Sequence, residues 1–586
     1  MVACKSGDFL DTKPQGVLNE DILNSPRGVD QLIIAAYSAQ MGPNPQADAV
    51  LHPTNNWTYG EVRSDNAYKG GGGTGDVHDV HRMETYTVDA LNGNLDAKWF
   101  QLYTSVRRCN SALRVLNRAT DSEIPKRAER IAEMKALRAH FYFELSRLYN
   151  KIVWIDESVE EQNYASIPND QYTRDELLEK IASDLESAAA VLPEVQESNQ
   201  IGRVNKYMAL AYAAKVNLYR AYKQDPATNK LVSIDQDLMR KVVDLTGQVI
   251  SSGRYGLLAD FQQLDLTEYE NGKESVWAIQ YSMNDGSESA GRINWSMLLN
   301  APQGPYSGDG FFLPSQNLID AYQTDANGLP LLDGSYDTQH YDQITFNGNV
   351  AVNNSISANV DPRLDFVVGR PNVRWKTYKE STYQATWVRD RGTYGYHSSK
   401  RFFLSPESPL MYKGWPWGAS GLNWQIIRYA HVLLWRAEAL IELGQLEEAR
   451  TLINSIRSRA KNSAWVTAWT PAAGDATTYP NFGGYAAKYV IGEYPTAGWT
   501  QAYAREALRF ETRLETAMEG ERIFDLVRWG IAASTMTRFF AVERDQRVYY
   551  RDARFVEGRD EYYPIAVNQY KFSGNRYKQN PGYGSF

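Results

Sequence analysis

Between Arg509 and Arg528, nine of twenty residues are charged, four arginines and five carboxylates, yet apolar residues recur between them. Leu514, Ala517 and Met518 fall on one face at helical spacing, Gly520 loosens the backbone, and Phe524, Val527 and Trp529 resume an apolar stripe. Charged side chains must then sit beside buried ones. Partly buried charge is tolerated where the groups pair and hydrogen-bond with one another, so the segment reads as a salt-bridged structural helix whose own arginines and carboxylates form the network.

Helical periodicity recurs at Leu95 to Asn117, Lys126 to Tyr149, Arg174 to Leu192, Lys206 to Tyr222 and Leu238 to Ser251. Pro125 stands where a helix can begin, and Pro193 stops one. From Ala430 to Arg459 two amphipathic helices flank a turn at Gly444, with Ala437 and Ala439 permitting close approach and Leu440, Leu443, Leu446, Ala449, Leu452 and Ile453 supplying a shared core. The periodicity establishes a helical hairpin, and the hairpin resembles a tetratricopeptide (TPR) unit. From about Gly256 to Trp424 the pattern changes to Gly, Pro, Asn and aromatic residues with short apolar runs such as Val276 to Ile279. That is a loop-rich stretch with a few strands, and Tyr341 to Ser357 has no period at all. The fold class is therefore mainly α: a TPR-like scaffold of helical hairpins with a large loop-rich insertion containing a few short strands.

The 586 residues, 43% hydrophobic and 23% charged, match a folded chain, read here as one unit rather than several domains. Net charge is −8 with the two signs mixed along the chain, which argues against nucleic acid as a partner. Aromatic content is 12%, with 38 tyrosines, and a flat apolar face with a polar tip suits amphipathic ligands such as sugars. Two cysteines, Cys4 and Cys109, rule out a disulfide framework. Cys109 reads as a buried small hydrophobe. Cys4 follows Val2-Ala3 and resembles the end of a bacterial lipoprotein signal whose upstream part is missing, so Met1 reads as a truncated start. No apolar run of about 18 residues is present, so membrane attachment would come through lipid on Cys4.

The run Glu519-Gly520-Glu521-Arg522-Ile523-Phe524-Asp525-Leu526-Val527-Arg528-Trp529-Gly530 resembles the C-terminal signature of the SusD/RagB family. Glu561-Tyr562-Tyr563-Pro564-Ile565 with Asn568, the ending Gln579-Asn580-Pro581-Gly582-Tyr583, and the opening Asp8 to Pro14 followed by Asp30-Gln31-Leu32 and Ala36-Tyr37 are similar to that family too, so the resemblance spans the chain. It implies one SusD-like unit over 1–586. Its parts are an N-terminal segment and first helix (4–60), a helical scaffold (95–255) and an aromatic insertion on the ligand side (256–424). C-terminal TPR-like helices (425–530, interrupted at 464–500) and a wrap (531–586) complete it. The resemblance also implies an outer-membrane, surface-exposed lipoprotein that binds polysaccharide or oligosaccharide and works with a SusC-like TonB-dependent transporter, without cofactor, metal or catalysis.

The loop Trp57 to Lys69 is the leading ligand candidate. Arg63, Asp65 and Asn66 can bond vicinal hydroxyls, and Trp57 or Tyr68 can stack on a sugar face. The insertion is expected to supply the opposite wall from Trp295, Tyr306, Phe311, Trp387, Tyr394, Tyr396, Trp415 and Trp417, with Pro416 stiffening the last two. Asp76-Val77-His78-Asp79-Val80-His81 offers H-x-x-H without a third spaced ligand, so capping is the expected role. Lys69 precedes Gly70 to Gly73 rather than following them, which rules out a phosphate-binding P-loop. No G-x-S-x-G nucleophile setting is present. An α-helical glycoside hydrolase would need two carboxylates across a cleft, and a protein-binding TPR scaffold would bury the loop aromatics instead.

Overall fold

The computed structural model describes residues 25–586 except 45–49, 198–199, 284, 287–291, 341–344, 348–349, 354–355, 357, 377–381, 413, 416, 469–483 and 585. Cys4 and Pro416 lie outside the described residues. Helix α1 (Pro26–Ser38) is followed by α2 (Gly93–Arg118), α3 (Arg127–Tyr149), α4 (Arg174–Ala189), α5 (Lys206–Ala221) and α6 (Gln236–Ser251). Each start has a local cause. Asn92, Asn205 and Asp235 accept from the first free N–H groups of α2, α5 and α6, and α4 begins with a reciprocal Thr173–Glu176 capping box. Consecutive helices from α2 to α6 pack on one another. The C-terminal hairpin, α7 (Tyr429–Glu442) and α8 (Leu446–Asn462), turns at Gly444, and α7 packs onto α6. Then α9 (Gln501–Glu515) lies against both arms of that hairpin. Cys109 is fully buried in α2.

The strands are few and short. β1 (Ala67–Gly70) pairs antiparallel with β3 (Phe311–Pro314), placing Tyr68 opposite Leu313 and Gly70 opposite Phe311. β2 (Ser275–Ile279) pairs antiparallel with β4 (Trp424–Arg428), which runs directly into α7. The first ladder fastens the middle of the insertion to the N-terminal loop, and the second joins the two ends of the insertion where the chain enters α7. Among the described residues no helix is long and apolar enough to cross a membrane.

The charged segment departs from the sequence reading. α9 stops at Glu515, Met518 and Gly520 take left-handed backbone (φ 67° and 81°), and α10 (Arg522–Arg528) begins only after that turn, so Ala517 and Met518 are buried in the turn, not on a helix face. The pairing also differs: most partners come from elsewhere in the chain. Glu511 accepts from Arg363 (2.7 Å) and Arg457 (2.8 Å). Glu515 accepts from Arg428 (2.6 Å), Arg363 (3.1 Å) and Arg459. Glu519 meets Arg401 (3.1 Å), Arg428 (2.9 Å) and His431 (2.9 Å). Arg528 reaches Glu438 and, within the segment, Asp525 (2.9 Å). The physical reason is reach: a helix presents side chains outward, and a fully desolvated carboxylate needs more donors than its own helix can aim at it.

Burial alone would raise the pKa of Glu515 and of Asp65, but the arginines reverse this and hold both at about 2, with Glu519 well below its ordinary value. A folded pKa below the unfolded one gives stability that is present above the unfolded value, about 4 to 4.5, and is lost as pH falls toward 2. Glu61 and Asp320, which burial pushes up to about 7, act oppositely: their contribution is present below the unfolded value and lost as pH rises through 7. The melting temperature is therefore expected to fall steeply below about pH 4. Glu515→Gln should cost about 3–5 kcal/mol at pH 7 in denaturant titrations, a difference that shrinks as pH drops toward 2. A melting temperature unchanged from pH 6 to pH 2.5 contradicts this assignment.

Candidate functional site

The N-terminal loop is built into the protein interior. Asn56 adopts φ 54° and a single wide turn follows, closed by Val62 N–H donating to Trp57 O at 3.0 Å. Trp57 packs against Phe311 and Phe312, ring centroids 6.2 and 5.6 Å away. Arg63 lies 3.9 Å above the Tyr563 ring and donates to Asp560 O. Asp65 receives Arg522 through both carboxylate oxygens (2.8 and 2.9 Å) and Arg513 at 3.3 Å. Asn66 accepts from Arg513 Nε (2.8 Å) and donates to Glu61 (2.8 Å), while Tyr68 donates to Glu543 (2.6 Å) and accepts from Gln316 N (2.9 Å). All five sequence candidates are thus buried, and the polar ones take protein partners. Their role in this structure is to fasten the loop to the C-terminal helices rather than to present a surface.

Most of the insertion aromatics are also packing groups. Trp387 meets Trp375 and Tyr383 edge-on at 5.3 and 5.1 Å. Tyr306 donates to Leu404 O (2.8 Å) and accepts from Trp375 Nε1 (3.0 Å). Tyr394 is buried beside Tyr549 (5.6 Å), Phe311 is buried in the core, and Tyr396 is half-buried. Trp415 and Trp417 differ: they are 56% and 38% exposed. They stand on a hairpin closed by the Met411–Ser420 bridge and by Tyr412 N–H donating to Ala419 O at 2.9 Å. Trp295, buried with Ile293, Leu298 and Ala419, supports Trp415 from below at 5.6 Å.

A polar group stands beside this hairpin. Lys69 donates to Gly70 O and Gly73 O at 2.9 Å each and to Asp76 O, closing the glycine loop on itself. Burial lowers the Lys69 pKa to about 8 against the pull of Glu84 and Asp76. Asp76 then receives Arg389 at 3.1 Å, and Arg389 also donates to Asp309 O at 3.1 Å. Half-burial pushes the Asp309 carboxyl up, with Arg389 opposing. One loop floors both features. Gly71 N–H donates to Gly310 O and Gly310 N–H to Ala301 O, each at 2.8 Å. On the other side Gly418 lies so close to Ala301 that a Cβ there would sit 2.1 Å from its methyl. The tryptophan hairpin and the carboxylate–guanidinium–carboxylate array are therefore both packed against the Ala301–Gly310 loop.

Sequence reasoning missed Arg389 and Asp309, which lie in aperiodic loop, and took Asp76 only as part of a histidine run. In that run His78 opens a short helix (His78–Glu84), Asp79 accepts from Gly93 N at 3.2 Å, and His81 contacts Glu84 at 3.1 Å. Among the described residues no group of three or more His, Cys, Asp or Glu is arranged to hold a metal.

The buried and exposed aromatics should separate by stability. Trp57→Ala is expected to cost about 3–5 kcal/mol, and Asp65→Asn, which removes the counter-charge of Arg522 and Arg513, a similar amount. Trp415→Ala, which removes a mostly solvated ring, should stay within about 1 kcal/mol of wild type. Chemical denaturation of the three variants checks this, and a Trp57→Ala protein as stable as wild type would refute the anchoring role.

Two family profiles match the chain: one described as "SusD family" over residues 273–583, and one described as "Starch-binding associating with outer membrane" over 8–218. SusD-like protein P38 of Formosa agariphila is 22% identical over 87% of this chain and 87% of its own length. A SusD-like protein of Bacteroides ovatus is 24% identical over 36% of this chain, and the match spans 38% of that protein. The structure of surface glycan-binding protein A from Bacteroides thetaiotaomicron in complex with laminarihexaose shares the fold, with a TM-score of 0.65 at 19% identity over 95% of this chain and 99% of that one. With the first profile matching more than half of its length, and with helical hairpins and a loop-rich insertion arranged as in a solved relative, this chain belongs to the SusD family.

Proposed function

We propose that the chain binds polysaccharide or oligosaccharide without cleaving it, on the face that carries Trp415 and Trp417. The exposed Trp415–Trp417 hairpin, supported from below by buried Trp295, is the observation that carries this reading. Sugar rings stack on such indoles through their C–H faces, and the neighbouring Asp76, Arg389 and Asp309 bond hydroxyls in directions that fix the orientation of the chain. Each exchange of a water bond for a protein bond yields only about 1 kcal/mol, so affinity per sugar is modest and contact along several sugars sets the total. The laminarihexaose complex of a structural neighbour supports glycan as the ligand class. In this reading Cys4 carries the lipid that holds the protein on the outer membrane, and the bound glycan is handed to a SusC-like TonB-dependent transporter for uptake.

Affinity electrophoresis and calorimetry against starch, laminarin, xylan, pectin and mucin glycans test the first part. The expected result is retention by one glycan class, with Trp415→Ala/Trp417→Ala lowering affinity by about 2 kcal/mol, roughly 30-fold, at unchanged melting temperature. No release of reducing sugar is expected on prolonged incubation. Retention that survives the double substitution would move the site elsewhere, and sugar release at catalytic protein concentrations would overturn the non-catalytic reading.

A further inference from the structure

A cavity of about 810 Å³ is lined in part by the loop that leads into the tryptophan hairpin, and has about six times the volume of the 130 Å³ basin between α9 and α10. Its floor is apolar. Phe366 stacks on Phe261 at 5.8 Å with an interplanar angle of 20°, and Phe403 is fully buried. Its rim carries two accessible rings, Tyr269, 39% exposed, and Trp465, which is held edge-on by Tyr485 (5.3 Å) and Tyr489 (5.6 Å). The walls are rigid for a loop region. Gln262 Nε2 donates to Ala464 O at 2.7 Å, Ala464 N–H donates to Asp260 at 2.9 Å, and Lys400 Nζ, itself buried, donates to Asp365 O (2.9 Å) and Arg374 O (2.8 Å).

One group at this cavity is under strain. Lys376 has φ 48°, the left-handed region that a lysine rarely occupies, and its ammonium lies 3.7 Å from Asp265, whose carboxylate is already engaged by Arg401 Nε at 3.2 Å. Backbone strain of this kind, about 1–3 kcal/mol, persists where the surroundings impose it and is concentrated at ligand sites. Glu268 on the same rim is exposed, and Ser405 and Ser408 offer hydroxyls from the loop wall. Charges of both signs at one mouth favour neither a polyanion nor a polycation. Accessible aromatic faces with hydroxyl, carboxylate and ammonium groups between them are the chemistry that holds a neutral carbohydrate.

We propose that this cavity is a second carbohydrate subsite, one that takes a neutral segment of the same glycan bound at Trp415 and Trp417. The inference rests on the glycan-binding reading of the hairpin face. The chain itself links the two places: Ser405 and Ser408 line the cavity, Leu404 O is held by Tyr306 from the loop that floors the hairpin face, and Met411 opens the hairpin. A glycan long enough to engage both sides of this loop gains the second contact at high effective concentration, whereas a short oligosaccharide occupies one side at a time.

The test uses the full chain with starch, laminarin, xylan, pectin and mucin glycans and a partial acid hydrolysate of each. Three variants are compared by affinity electrophoresis and calorimetry, each with a melting curve: Tyr269→Ala/Trp465→Ala, Ser405→Trp, which fills the cavity without removing a packing ring, and Trp415→Ala/Trp417→Ala. Both cavity variants are expected to weaken binding of the retained polymer at least fivefold and to leave its short oligosaccharides within twofold. Binding of the polymer unchanged by both cavity variants but lost with the hairpin variant overturns the second subsite and leaves the hairpin reading intact. No glycan retained by the wild type overturns both.

Discussion

The carboxylate of Glu61 is the point through which the two ends of the chain hold one another. It accepts from Met518 N (2.8 Å), Gly520 N (3.0 Å) and Asn66 Nδ2 (2.8 Å), with Arg522 N at 3.4 Å, so the turn between α9 and α10 and the loop after Asn56 close around a single buried carboxyl group. Backbone lies directly on backbone here. A Cβ on Gly60 would fall 1.8 Å from Gly520 O, and one on Gly520 would meet Asn55 O at 2.1 Å in addition to the strain of φ 81°. Burial holds the Glu61 pKa up at about 7 against the hydrogen bonds from Asn66, Met518 N and Arg522 N and the nearby Arg522 charge. From this clamp β1 emerges to pair with β3, and the glycine loop capped by Lys69 leaves the end of β1 toward Asp76. Asp76, which receives Arg389 from the insertion, is thus connected through β1 and the glycine loop to the Glu61 cradle.

The buried ion pairs extend the same principle into the insertion. Arg363 and Arg401 come from the insertion, Arg428 from the end of β4, and Arg457 and Arg459 from α8, and all converge on carboxylates of α9 and the turn after it. Desolvating so many charges costs several kcal/mol per ion, and apolar residues of the same volume would give equal or greater stability. What ion pairs add is direction, because a guanidinium satisfies two carboxylates only in one geometry. A loop-rich insertion has little regular hydrogen bonding to fix its orientation, and these pairs supply that orientation.

Helices were legible from periodicity because each amphipathic face is a local property. Leu95 to Asn117 becomes Gly93–Arg118, and the turn at Gly444 falls where a glycine between two apolar repeats demands it. The loop from Trp57 to Tyr68 was not legible in the same way. Trp, Arg, Asp, Asn and Tyr are the residues that bind sugars at a surface, and they are also the residues that satisfy one another in a polar interior. Which of the two occurs is decided by Arg513 and Arg522, more than 440 residues further along the chain. Trp415 and Trp417 carry the opposite lesson: Pro416 between them marks the pair in the sequence without separating exposed from buried, and exposure follows from a hairpin whose base is set by contacts with Trp295 and Ala301.

Placing the exposed indoles over a buried one has an energetic consequence. A tryptophan on a free loop loses side-chain and backbone entropy when a sugar stacks on it, about 1–2 kcal/mol per ordered residue, which is comparable to what the stack returns. Trp415 is spared part of that cost because its ring already rests on Trp295 and its hairpin is closed by the Met411–Ser420 bridge. The scaffold below is fixed by ion pairs that do not rearrange without exposing charge, so little of the binding energy is spent in reshaping the protein. In the glycan-binding reading proposed for this face, a weak contact repeated along a polymer accumulates on a surface that was ordered before the polymer arrived.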